Sequence, residues 1–130
     1  MATTTKPPIL IVDDDEQFRT LLRRFLEPDH AVSEAANGAE ALRRVEERTP
    51  RLILTDIDMP EVNGVEFLRK LRATPAGTGL PVIVLLGTAL PEDLRAARRL
   101  QASAVLPKEE ISRQRVRDLV AAHLKAMDRL

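Results

Sequence analysis

Two short apolar runs in this sequence end on aspartate, and a third ends just before a lysine. Ile9, Leu10, Ile11 and Val12 run into Asp13, Asp14 and Asp15; Leu52, Ile53 and Leu54 lead through Thr55 to Asp56; Ala104, Val105 and Leu106 are followed by Pro107 and Lys108. Carboxylates gathered in one place repel each other and raise one another's pKa unless a cation holds them ionised. The chain has no cysteine and no histidine near these positions, so the ligands offered are all oxygen. Such a set favours a hard ion, and a partly open carboxylate site suits Mg2+, which keeps waters and pairs well with phosphate oxygens. A carboxylate such as Asp56 can attack phosphorus and form an acyl phosphate, while the metal and Lys108 neutralise charge on the transferring group. Singly, each residue has a plainer role, since Asp13 to Asp15 can cap a helix and Asp56 can be a loop residue. Those plainer roles do not explain why aspartates close two strands and a lysine follows a third.

The elements that would bring these residues together can be read from periodicity. The run Ile9 to Val12 has the unbroken apolar character of a strand buried on both faces. Phe18, Leu21, Leu22, Phe25 and Leu26 recur at helical spacing, and Ala31 to Ala35 forms a second strand. Asn37 and Gly38 punctuate the chain before a helical stripe through Ala41, Leu42 and Val45. Leu52 to Asp56 makes a third strand, Pro60 to Gly64 a loop, and Val65, Leu68 and Leu71 a third helix. Beyond Pro75, Gly77 and Gly79, the run Pro81 to Leu86 is the fourth strand. A helix through Leu94, Ala97 and Leu100 follows, then a short strand from Ala104 to Leu106. A long last helix carries Val116, Leu119, Val120, Leu124 and Met127. Five strands alternating with five helices predict a doubly wound α/β fold around a parallel sheet. In such sheets functional groups collect beyond the carboxyl ends of the strands, where Asp13, Asp14, Asp56 and Lys108 are expected.

With 130 residues, 44% of them hydrophobic, the chain suits one domain with its own core, after a polar tail over residues 1–8. Its 20 basic and 20 acidic residues cancel, which argues against nucleic-acid binding driven by a global positive field. Met1 to Pro8 lacks the apolar core of an export signal, and no apolar run approaches the ~20 residues of a bilayer span. A cytoplasmic protein without membrane contact is expected. His30 and His123 read as surface or packing histidines. Met59 reads as a packed loop residue, since a hard ion has no use for thioether sulfur.

The segments Ile9 to Asp14 (ILIVDD) and Leu54 to Pro60 (LTDIDMP), with Asn63, Gly64 and Lys108, together resemble receiver domains of bacterial two-component response regulators over nearly the whole chain. The resemblance implies a flavodoxin-like sheet of order 2-1-3-4-5, with the receiver domain over residues 9–130. It implies that Asp56 is the phosphoacceptor, Asp14 a direct metal ligand, Asp13 a water-mediated one, and the backbone carbonyl of Asp58 the third protein ligand. Lys108 would contact the phosphoryl group. The donor would be a histidine kinase or phosphotransfer protein, and no substrate turnover of the enzyme type is implied. Output through an effector domain, a downstream protein or a homodimer stays open.

The sequence departs from that family at Leu86, where a threonine or serine is usual, at Val105, where an aromatic is usual, and at Glu109, which replaces the proline after the lysine. Leucine cannot donate a hydrogen bond to a phosphoryl oxygen, and Thr88 would replace it only if the strand end were re-registered. Two alternatives follow. One is a pseudo-receiver that binds a partner without phosphorylation, suggested by Leu86. The other is a phosphatase of the haloacid dehalogenase type, suggested by Asp56-Ile57-Asp58 after an apolar strand, although Met59 and Pro60 do not fit that motif.

Overall fold

The computed structural model describes residues 6–57, 64–87 and 91–128. Its elements alternate as expected: β1 (Pro8–Val12), α1 (Glu16–Leu26), β2 (Ala31–Ala35), α2 (Gly38–Glu47), β3 (Leu52–Asp56), α3 (Gly64–Arg72), β4 (Val82–Leu86), α4 (Pro91–Arg99), β5 (Ala104–Pro107) and α5 (Arg113–Asp128). A single turn of 3-10 helix, Lys108–Glu110, which the periodicity does not predict, joins β5 to α5. The first strand begins one residue before the apolar run, because Pro8 pairs with Ala31. The five strands form one sheet of order β2-β1-β3-β4-β5 with parallel pairing throughout.

Alternation along the strands sends successive side chains to opposite faces, and each face has its own core. Leu10, Val12, Ile53, Val82 and Val84 pack with Ala41 and Val45 of α2, Phe67, Leu68 and Leu71 of α3, and Ala97 of α4. Ile9, Ile11, Leu52, Leu54, Ile83 and Leu85 pack with Leu22 and Leu26 of α1 and Val116, Val120 and Leu124 of α5. The unbroken apolar runs of β1, β3 and β4 are therefore explained by burial on both sides. The order reverses at β1, whose neighbours are β2 and β3, so the crevice of a doubly wound sheet lies at the carboxyl ends of β1 and β3.

Candidate functional site

Asp13 follows β1, Asp56 ends β3 and Lys108 follows β5. Carboxylate oxygens of Asp13, Asp14 and Asp56 all lie within 4.8 Å of one another. Asp13 and Asp56 are buried and Asp14 is exposed. The Lys108 ammonium sits 2.9 Å from Asp13 Oδ2 and 3.2 Å from Asp56 Oδ2, bridging the two buried carboxylates.

The aspartate triplet divides its work. Asp15 is the N-cap of α1, its Oδ1 accepting from the amides of Gln17 at 3.0 Å and Phe18 at 3.3 Å. The capping role suggested for the triplet therefore belongs to Asp15 and leaves Asp13 and Asp14 free of it. Asp13 Oδ1 accepts from the Asp15 amide at 2.9 Å, which closes the turn between β1 and α1. The Asp13 amide donates to Ala35 O of β2 at 3.1 Å, and Arg19 Nη1 donates to Asp13 O at 2.6 Å. Arg19 and Arg23 in turn pair with the two oxygens of Glu34, at 2.9 and 2.8 Å. This clamp on the acidic turn was missed by periodicity. Its one sequence signal is an acidic residue in the short strand Ala31–Ala35, opposite arginines spaced one helical turn apart.

Gly64 fixes the other side of the site. Its amide donates to Ile57 O at 2.8 Å, and a Cβ there would lie 2.2 Å from Asp56 O and 2.5 Å from Ile57 Cα. Only glycine lets α3 start this close to the end of β3.

The charges of the site bear on one another. Burial pushes the Asp13 carboxyl above the ordinary aspartate range, only partly offset by the Asp15 amide and Lys108. Burial alone would pull Lys108 down, but its charge interactions with Asp13 and Asp56 and its hydrogen bond to Asp56 outweigh it and hold the ammonium pKa up. Asp13 Oδ2 is buried and makes no well-aligned hydrogen bond; its contact with Lys108 is an ion pair. A buried carboxylate oxygen in that condition, beside two further carboxylates and, among the described residues, no nitrogen or sulfur ligand, fits a small hard cation.

Leu86 ends β4, partly exposed, and pairs in register with Pro107, the residue before Lys108. Val105 packs against the core cluster of the α2, α3 and α4 face. Asp58, Met59, Asn63 and Thr88 lie outside the described residues. The His30 and His123 rings bond to Leu26 O at 3.0 Å and Leu119 O at 2.8 Å, each one turn back in the chain, which is the packing role expected of them.

The sequence matches the family described as the response regulator receiver domain over residues 9–121. It is 43% identical over 100 residues to an uncharacterised 14.6 kDa protein of Leptolyngbya boryana, covering 76% of each chain. It is 37% identical over 123 residues to the gliding motility regulatory protein of Myxococcus xanthus, covering 94% of this chain and 15% of that protein. Among solved structures, a CheY-like response regulator receiver domain protein from Methanospirillum hungatei JF-1 superposes with a TM-score of 0.89 at 27% identity, covering 97% of this chain and 98% of that one. Neither the phosphatase reading nor the pseudo-receiver reading is favoured by these likenesses.

Proposed function

Because the chain belongs to the response regulator receiver domain family, a signalling module of two-component systems, we propose that it accepts a phosphoryl group on Asp56 from a phosphohistidine of a histidine kinase or phosphotransfer protein. Asp13, Asp14, Asp56 and the backbone carbonyl of Asp58 would hold Mg2+, and the signal would leave through altered contact with a partner protein or an effector domain. The observation that carries this reading is the nearly buried Asp56 at the end of β3, with Lys108 at 3.2 Å and two further carboxylates within 4.8 Å.

In the proposed step an Asp56 carboxylate oxygen attacks phosphorus. The bond from phosphorus to the donor imidazole nitrogen breaks, and its electron pair stays on that nitrogen. Lys108 shifts from the carboxylates toward the phosphoryl oxygens and offsets their charge. Burial of Asp13 and Asp56 lowers the local dielectric, which strengthens that pairing. When bound, Mg2+ supplies charge neutralisation for the carboxylates and the phosphoryl oxygens.

Intact-mass measurement after incubation with phosphoramidate or acetyl phosphate and Mg2+ tests the proposal. The wild type is expected to gain one phosphoryl unit that Asp56→Asn abolishes, whereas equal labelling of both would remove Asp56 from the role.

A further inference from the structure

We propose that Phe18 is a positioning residue for Lys108, its ring keeping the ammonium beside Asp56 while the ammonium changes its charged partners. The inference rests on the phosphoacceptor reading and deepens it. Lys108 Nζ lies 4.6 Å from the centroid of the Phe18 ring, well inside the ~6 Å over which an aromatic face attracts a cation. The ring is itself fixed, since the Phe18 amide is held by the Asp15 cap at 3.3 Å and the side chain packs, partly buried, against the core on the α1 and α5 face. Further back along the lysine stem, a Cβ at Gly87 would stand 3.7 Å from Lys108 Cδ. The stem therefore passes close to the backbone after β4 on its way to the site.

The argument turns on what each partner of Lys108 must do. Among the described residues Asp13 and Asp56 are its ionic partners, and both belong to the cluster that fits a hard cation. As those carboxylates turn toward a cation or a phosphoryl group, the ion pairs that place Lys108 weaken. The Phe18 ring accepts no proton and does not ligate a hard ion, so it holds the ammonium without competing for the same ligands and without neutralising its charge. The position also fits the apolar stripe of α1, but a stripe residue serves equally well as leucine, and leucine offers no π face. The two roles can therefore be separated.

Phosphoramidate labelling rates with Mg2+ make the first test. Phe18→Leu is expected to slow labelling about two- to fivefold, the range expected of one partly solvated cation–π contact. Phe18→Tyr or Phe18→Trp should restore the rate. In a Lys108→Met background, Phe18→Leu should change nothing further, whereas a packing defect would slow labelling there as well. Melting curves provide the folding control, and Phe18→Met replaces Phe18→Leu if the latter melts far below the wild type.

The second test does not depend on labelling. In protein carrying 15N-lysine, the Lys108 ammonium signal should show an upfield ring-current shift without metal. That shift should be lost in Phe18→Leu and kept by the wild type after addition of Mg2+ and beryllofluoride. An unlabelled wild type would overturn the acceptor reading, and the ammonium signal would still decide the contact. An unchanged rate in Phe18→Leu, an equal loss in the Lys108→Met background, or disappearance of the ring-current shift on beryllofluoride binding would overturn the role given to Phe18.

Discussion

Asp13 is the residue where burial and charge conflict most directly, because burial raises its pKa more than its hydrogen bonds and Lys108 lower it. A carboxyl raised in the folded state binds its proton more tightly there than in the unfolded chain. The contribution of Asp13 to stability is therefore greatest when it is protonated, and it falls as pH rises from about the ordinary value of 3.8 through the raised folded value. Lys108 has the same sign at higher pH, its support being complete below the ordinary 10.5 and lost as pH rises through its raised folded value. In chelator at neutral pH, Asp13→Asn should then melt about 3 °C or more above the wild type. That gain should shrink as pH falls toward the ordinary aspartate value, and a gain independent of pH would assign it to packing instead. Asp14 is exposed, whereas Asp13 already holds the Asp15 amide and Lys108. In calorimetric titration Asp14→Ala is accordingly expected to weaken Mg2+ binding more than Asp13→Ala. Equal affinity in Asp14→Ala and wild type would take Asp14 out of the proposed ligand set.

At the scale of elements, one residue at each end of α3 ties it to the sheet, Gly64 on the site side and Arg72 at the opposite edge. Gly64→Ala would drive a methyl into the backbone of Asp56 and Ile57; a loss of about 2 kcal/mol or more in urea unfolding is expected. Arg72, at the other end, donates to Leu100 O, Gly77 O, Leu80 O and Gln101 O at 2.7 to 3.0 Å, so one guanidinium ties the turn after α3 to the end of α4. Arg72→Leu leaves those carbonyls without their donor and should cost roughly 2 to 4 kcal/mol; a change under 0.5 kcal/mol would show that water replaces the guanidinium freely. These features mark the limit of what periodicity conveys. Ile9 to Val12 and Leu52 to Leu54 announce their strands because burial on both faces requires unbroken apolar runs. The convergence of Asp13, Asp56 and Lys108 followed from parallel strands sharing one carboxyl end. Arg72, Arg19 and Glu34 gave no comparable signal, because a charged residue in a helix or a short strand usually faces solvent, and only tertiary placement turns it into a clamp. Phe18 read as a stripe residue for a similar reason, since helical spacing is silent on which face of a ring meets a cation.

For the whole molecule, the proposed phosphorylation turns on how a charge on Asp56 would reach distant surfaces. A phosphoryl group shifts a two-state equilibrium only through contacts that differ between the two states. Leu86 stands at the end of β4, opposite the residue before Lys108, and offers no hydrogen bond to such a group. Strand alternation places it on the same side as Val82 and Val84, the side covered by α4, and Val105 on that side contributes only apolar packing. Among the described residues, Leu86 and Val105 thus bring neither a hydroxyl nor an aromatic ring to that side. One hydrogen bond to a charged group contributes about 1.5 to 3 kcal/mol, so its absence reduces a population shift by roughly tenfold or more. Lys108 remains able to pull on the 3-10 turn and, through Phe18, on α1. With beryllofluoride and Mg2+, amide NMR changes are therefore expected around Asp14, Asp56 and Lys108, with small changes along α4, β5 and α5. Leu86→Thr restores the donor and should enlarge those distant changes while leaving the local ones in place. Large changes across α4, β5 and α5 in the wild type, with nothing added by Leu86→Thr, would show that the signal crosses the sheet without that hydroxyl and that Leu86 does not limit it.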